Sequence, residues 1–578
     1  MNSQILDKLS MTGLGVWSTL GLLWLSWVVY KFIKAYQRAV SIRHHPGYRG
    51  LFSLTTIVGR LLPRDIPYVN ESLNFAWRTH RKAYNKQRTS ILSDISLTGN
   101  SSYFFCSTPS AVRQLNMDRK MFRKPVEVYK ILKYFGSNVL VTEGDEWRRH
   151  RKIVAPGFSD AVFEHVWRTT VEIYFEMARS EKWDRLDVGG VSEVPNVPEL
   201  MSKQSIHNTA TASFGAPLSW SPDTKAALPE GHDMSFVEAI TGVSENMFLT
   251  IAVPDILLFN LPFKKLRYVS TAVKELKSYM YGMIRDRKQE IKSGETSSTV
   301  RRDLFNQLIT ASLEEESAME KTPGSQGLTD EELVGNTFIF ALAGHETSAH
   351  TLAFTFGYLA TNPDVQEWLF EELNQVMPDG HLPSYKDFAR LPRTLAVLYE
   401  TLRLHPSVNI IPKYATEDTT LLDDPDSWFE GDDQQKSQSA EEMEKEEKRR
   451  VFVPAGTQCQ IDVVNLRELA VYWPNPDAFK PERFLGDYEK DAFVPFSAGA
   501  RGCIGRRFAE VESVAFIAMI VRHFRLTPAK RTTPAGETTE QTAERLLRAK
   551  GGLTLTPVKV ELDFTRRDGE GVARPEFD

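Results

Sequence analysis

Between Thr329 and Pro363 the chain has no proline, and from Leu333 to Gly344 it has no charged residue. Thr329-Asp330-Glu331-Glu332 opens the stretch with a capping box, in which a threonine and a glutamate satisfy free backbone N–H groups reciprocally. The pattern predicts one helix of about 33 residues, ~50 Å long at ~1.5 Å per residue. A helix that is apolar on every face is buried on every face. It needs a large body around it, and the 578-residue chain is long enough to supply one.

That body reads as mainly helical. Helical spacing is plain around Ser110–Arg119, Trp147–Ala155, Phe163–Arg179 and Ser270–Lys292. Strand-like pieces are few: Ser102–Ser107, Arg450–Pro454 and Gln458–Val464. Hydrophobic residues make up 42% and charged residues 25%, so disordered, collagen-like and disulfide-framework classes are excluded. The net charge of −5 asks for no nucleic-acid partner. Three cysteines, Cys106, Cys459 and Cys503, are an odd and sparse set, which points to reduced thiols in a cytosol-facing body. Cys106 and Cys459 sit in apolar strand-like surroundings and read as core. Asp423 to Glu447 holds eleven acids against two bases, so a solvated insertion is expected over about 423–450.

The first 45 residues are of a different kind. Leu9 to Tyr30 carries no charge over 22 residues, enough for ~33 Å of helix and a bilayer span. The run is longer than a signal-peptide core and has no small-x-small cleavage site after it. Lys31, Lys34, Arg38 and Arg43 follow, which places the body in the cytoplasm. The sequon at Asn70 would then meet no glycosylating enzyme, nor would that at Asn100. Residues 1–45 are read as an N-terminal transmembrane anchor and linker, ending at His44-His45-Pro46-Gly47, and residues 46–578 as one catalytic domain.

The most informative stretch for chemistry is Phe496-Ser497-Ala498-Gly499-Ala500-Arg501-Gly502-Cys503-Ile504-Gly505-Arg506-Arg507. It is a glycine-rich loop running into a helix that starts near Gly505. A thiol at a helix N-terminus is biased toward thiolate. The glycines let the backbone approach something flat, and Arg501 can pair with an acid group. A thiolate, a flat space and a cation describe a haem-iron ligand beside a propionate contact; a buried structural cysteine is the other reading of the same residue.

Here the chain resembles the cytochrome P450 family of haem-thiolate enzymes, whose loop has the form Phe-x-x-Gly-x-Arg-x-Cys-x-Gly. Phe496, Gly499, Arg501, Cys503 and Gly505 match every fixed position. Trp147 to Arg151 resembles the family's Trp-x-x-x-Arg helix, Ala343-Gly344-His345-Glu346-Thr347 its oxygen-side helix, Glu400-Thr401-Leu402-Arg403 its Glu-x-x-Arg, and Pro481-Glu482-Arg483-Phe484 its downstream partner. The resemblance covers roughly Pro109 to Pro557 apart from the acidic insertion, and the N-terminus is similar to that of endoplasmic-reticulum members. It implies a mainly α fold with a small β-sheet region.

The resemblance also implies roles for individual residues. Cys503 is the axial iron ligand of haem b. Trp147 and Arg151, at i and i+4 on one helix face, reach a propionate together with Arg501. Lys413 stands where the family usually has an arginine in the strand after Glu-x-x-Arg, and a lysine is a point charge rather than a planar fork. Glu400, Arg403 and Arg483 form a buried scaffold triad. Ala343 and Gly344 lie on the face of Thr347, whose hydroxyl can bond back to the i−4 carbonyl and loosen the helix locally. With Glu346 it organises protons for O₂ cleavage.

The function implied is monooxygenation of a lipophilic small molecule. The chain has no flavin or nicotinamide fingerprint of its own, so NADPH electrons come through an NADPH–cytochrome P450 reductase. Arg148, Arg149, Lys152, Arg506 and Arg507 offer basic charge to such an acidic partner. The location implied is the endoplasmic reticulum membrane, single-pass, with membrane lipid as a further partner. Met247–Phe263 is an apolar, proline-broken lid, and Ile339, Phe340, Val408, Ile410 and Leu553 are candidate pocket walls. Two other functions share these motifs: a reductase-independent haem-thiolate isomerase or dehydratase, and a non-enzymatic haem-binding membrane protein. The Glu346-Thr347 pair disfavours the first, since a rearrangement needs no proton delivery to O₂.

Overall fold

The computed structural model describes residues 3–52, 66, 69, 77, 82–216, 220, 228, 231–253, 256, 258, 263–293, 303–318, 326–378, 382–424, 449–551 and 554–567. Leu553, Asn70, the prolines of the expected lid and most of the acidic insertion lie outside them. The chain forms two compact units, one of Met1–Lys124, Val408–Asp477 and Glu489–Gly499, the other of Pro125–Ser407, Ala478–Tyr488 and Ala500–Asp578.

The first unit is built on a six-stranded sheet. Its order is Gly47–Gly50, Ile91–Ser96, Tyr103–Cys106, Gln458–Asp462, Ile410–Ala415, Phe122–Arg123. Aromatic and β-branched side chains suit a pleated, half-buried surface, and Phe104, Cys106, Cys459 and Ile461 are all fully buried. Both cysteines expected in the core are there. The strands bracketing the acidic insertion, Thr419–Asp423 and Arg449–Val453, pair antiparallel with Asp423 opposite Arg449.

Ser3–Ser41 is a single helix, joined to the sheet where Arg38 donates to the Ser96 carbonyl at 2.9 Å. Trp17, Leu20, Leu22, Leu23, Trp24, Leu25 and Trp27 are all exposed on it. Among the described residues, however, no helix is long and apolar enough to cross a membrane. Side chains are described on this helix only from Trp17 onward, so this holds only for the later part of the expected Leu9–Tyr30 span.

In the second unit, helices surround the predicted long one. It runs Asp330–Thr361, with Thr329 as N-cap and the capping box formed. Around it lie Gly144–Val154, Asp160–Ser180, Val197–Asn208, Lys264–Ser293, Pro392–Leu404 and Arg506–His523. A three-stranded sheet, Phe524–Pro528, Leu562–Arg566 and Val191–Val194, adds a small β region. The long helix is approached very closely: a Cβ on Gly335 would fall 2.4 Å from the Ser137 carbonyl oxygen. Phe338 stacks on Phe135 at 4.2 Å, and both are buried.

Candidate functional site

The long helix is not buried on every face. From Leu333 to Thr361 every residue is buried except Phe340, Ala343, Gly344, Glu346 and Thr347, and Ala343 is exposed outright. Positions 340, 343, 344 and 347 are the i, i+3, i+4, i+7 spacing of one helix face. The helix therefore opens a single short stripe, over the Ala-Gly-His-Glu-Thr motif. Gly344 is small because Thr209 lies against it, so that a Cβ would sit 3.3 Å from the threonine Oγ1. The Thr347 hydroxyl donates back to the Ala343 carbonyl at 2.9 Å, and the Thr347 carbonyl accepts in turn from Thr351 at 2.8 Å. Glu346 accepts from the Thr554 hydroxyl at 2.8 Å.

Cys503 precedes the Arg506–His523 helix, whose N-cap is Gly505. Its side chain is exposed to water, yet burial pushes its thiol up. Both hold for a side chain that touches water yet has protein packed around it. The Gly505 amide and the charges of Arg151 and Arg506 favour the thiolate, but burial outweighs them. The helix N-terminus pulls toward thiolate as expected but does not by itself outweigh burial; a cation bound to the sulfur would. Gly499 has φ +67°, and a Cβ there would lie 2.9 Å from the Asn116 carbonyl oxygen, so this glycine serves the turn.

Trp147 and Arg151 share a face of the Gly144–Val154 helix. Arg501 lies flat over the Trp147 ring at 3.9 Å. It also pairs with Glu143 at 2.5 Å and donates to the Thr142 carbonyl at 3.0 Å. Arg501, expected to hold a propionate, is thus already engaged by a carboxylate. Arg151 differs: it is half-buried, it faces the Cys503 sulfur electrostatically, and it makes no hydrogen bond or ion pair among the described residues. The Trp147 indole N–H is likewise without a hydrogen-bond partner there. An unpartnered cation and N–H beside an accessible thiol suit a cofactor that brings its own anionic edge and a metal for the sulfur. The donor set therefore fits haem.

The scaffold triad is closed. Arg403 donates to both carboxylate oxygens of Glu400, at 2.7 and 2.9 Å. Arg483 and the Lys480 amide add bonds of 3.1 and 2.8 Å. Lys413 is buried on the Ile410–Ala415 strand, opposite Cys459. It belongs to the first unit, as do Val408 and Ile410, whereas Cys503, Trp147, Arg151, Arg501, Glu346 and Thr347 all belong to the second. Ile339 is buried and Phe340 sits edge-on to Phe158 at 5.7 Å. The five basic residues are engaged: Arg148 with Asp145, Arg149 with Glu332, Lys152 with Glu315, and Arg506 and Arg507 with Glu510.

Sequence reasoning missed Glu512. Burial pushes its carboxyl up to about 7, against hydrogen bonds from Asn208, Ser205, Ser348 and Gln204 that favour the charge. A lone acid between Val511 and Val514 was the available signal. It also missed Thr554, which bonds both Glu346 and His350 from some two hundred positions away.

The cytochrome P450 family model matches residues 77–425 and 443–556. Cytochrome P450 monooxygenase 124 of Postia placenta is 38% identical over 530 residues, 91% of this chain and 94% of that protein. The leukotriene-B4 omega-hydroxylase 3 of Mus musculus is 26% identical, covering 76% of this chain and 77% of that one. Among solved structures, the haem domain of cytochrome P450DA superposes with a TM-score of 0.66 at 18% identity, covering 90% of this chain and 98% of the other. With its loop cysteine, its Trp147 indole N–H and Arg151 guanidinium left without hydrogen-bond partners among the described residues, and its opened long helix, this chain belongs to the cytochrome P450 family of oxidoreductases.

Proposed function

We propose that the protein is a haem b monooxygenase acting on a lipophilic small molecule, with electrons from NADPH delivered by a flavoprotein reductase. The observation that carries this is Cys503: a thiol within reach of water, beside Arg151, a cation with no hydrogen bond or ion pair among the described residues. When bound, haem supplies the iron at which O₂ is activated. Cys503 would hold that iron, and Trp147 and Arg151 would hold the propionate edge. Ala343 and Gly344 leave room on the stripe. Thr347 keeps its hydroxyl on the Ala343 carbonyl and so presents lone pairs, while Glu346 holds or releases a proton beside it. The apolar Phe340 and Ile339 favour an apolar substrate, and a relative named for hydroxylating a leukotriene acts on one of that class.

The reading is tested by replacing the ligand. Cys503→Ala should abolish the thiolate-type carbon-monoxide band of the reduced protein and all turnover with reductase, NADPH and O₂. A normal band in that variant sinks it. Wild-type conversion of a peroxide without reductase, and none with reductase and NADPH, would favour the isomerase instead.

The Ser3–Ser41 helix, with its exposed tryptophans and leucines, is proposed to seat the chain on the endoplasmic reticulum membrane, with the enzyme facing the cytosol. Deleting residues 1–34 should release much of the protein from membranes and leave haem binding intact. Unchanged membrane retention would refute the assignment.

A further inference from the structure

Glu346 and His350 lie four apart on the long helix, and Thr554 bridges them from the strand region beginning at Leu555. The Thr554 hydroxyl donates to Glu346 Oε1 at 2.8 Å, and His350 Nδ1 lies 3.1 Å from Thr554 Oγ1. A hydroxyl has one proton to give. Since it goes to the carboxylate, the threonine oxygen accepts from His350, which fixes the imidazole as its Nδ1–H tautomer. Burial, with His345 and Lys550 alongside, pushes the imidazolium down to about 4, so His350 rests neutral. Its Nε2 makes no hydrogen bond among the described residues. All three side chains belong to the same unit, and Thr554 and His350 are buried.

We propose that Thr554 and His350 are positioning residues that hold Glu346 and return a proton to it after each turnover, an inference that rests on the monooxygenase reading above. A proton from water enters at His350 Nε2. The Nδ1 proton passes to Thr554 Oγ1, and the proton already on that oxygen passes to Glu346 Oε1. The N–H bond at Nδ1 and the old O–H bond of Thr554 break. New bonds form at Nε2, at Thr554 and at Glu346. His350 ends neutral as the Nε2–H tautomer; it resets when its ring swings off Thr554, takes a proton from water at Nδ1 and returns the Nε2 proton to water. No electrons move. Both hydrogen bonds, His350 to Thr554 and Thr554 to Glu346, reverse direction during the transfer itself.

The test uses the resting ferric holoenzyme and its turnover with reductase, NADPH and O₂. The carboxyl infrared band of Glu346, assigned by its loss in Glu346→Gln, should shift in Thr554→Val and return in Thr554→Ser. Turnover in Thr554→Val should fall about tenfold, less than the ~10²–10⁴-fold of full general acid–base help because Thr347 remains, with a larger solvent deuterium isotope effect. His350→Gln keeps a donor to Thr554 but cannot pass a proton through. It should leave the infrared band in place, raise the isotope effect, and add nothing further when combined with Thr554→Val. An unmoved band in Thr554→Val, equal damage from Ser and Val, or a wild-type isotope effect in His350→Gln would each overturn the proposal. If wild type itself lacks the thiolate carbon-monoxide band, the monooxygenase reading fails instead.

Discussion

Two arginine sites in the second unit use the same chemistry to opposite ends. At Glu400, a carboxylate with no exposure takes two bonds from Arg403, one from Arg483 and one from the Lys480 amide. Nothing there is left to bind a ligand. On the Gly144–Val154 helix, Arg151 and Trp147 stand one turn apart with no hydrogen-bond partner among the described residues. Folding normally removes such loose ends, because a partly buried donor without a partner costs free energy. The difference separates scaffold from site: where the protein completes its own bonds it is holding shape, and where it leaves them open it is holding a place.

The contrast predicts that the closed site costs the most to break. Glu400→Ala strands two guanidinium groups, one of them almost wholly buried, so the loss should be about 3–5 kcal/mol of folding stability. Urea unfolding of the apoprotein measures it. A loss below about 1 kcal/mol would mean the triad is no scaffold and would remove one side of the comparison.

Glu512 lies between the two cases, a carboxyl with partners but in a place that disfavours its charge. Its native pKa of about 7 is above that of an unfolded glutamate. The native state therefore binds the proton more tightly, and stability falls as pH rises from about 4.5 to about 7. At ~1.4 kcal/mol per pH unit, the full cost above pH 7 is about 3 kcal/mol. Glu512→Gln should remove that slope, matching wild type near pH 5 and exceeding it at pH 8. An unfolding midpoint that runs parallel to wild type across this range contradicts the assignment.

How much of this the sequence could reveal depended on the reach of each interaction. The long helix was readable because its cap, its lack of proline and its apolarity are local, and so were the three core strands. Cys503 stood out because four fixed neighbours, Phe496, Gly499, Arg501 and Gly505, accompany it. The open stripe at Phe340–Thr347 was not readable, since composition predicts burial on all faces and only the tertiary arrangement uncovers one. Nor was the true state of Arg501, which Glu143 occupies from a distant segment, or the bridge from Thr554 to Glu346. The N-terminal helix was legible from its uncharged run, which falls within Ser3–Ser41. Lys413 was placed correctly in a strand, but it lies in the other unit from the Cys503 cluster.

The smallest effect on stability is expected where the comparison is sharpest. Arg151→Met deletes a half-buried cation that no described residue compensates, so the apoprotein should lose no internal bond. Its urea midpoint should stay within about 0.5 kcal/mol of wild type, as for changes away from any packed feature. The loss should appear only with haem present. A hydrogen bond to a charged group is typically worth about 1.5–3 kcal/mol, so haem should be released to a competing apoprotein roughly ten to a hundred times faster or bound correspondingly more weakly. Arg151→Lys, which keeps the charge but not the fork, should recover part of that loss. If Arg151→Met destabilised the apoprotein as much as Glu400→Ala, Arg151 would be scaffold. If it released haem no faster than wild type, the unpartnered guanidinium would mark no propionate, and the reading of open donors as a ligand site would fail at the position where it is best supported.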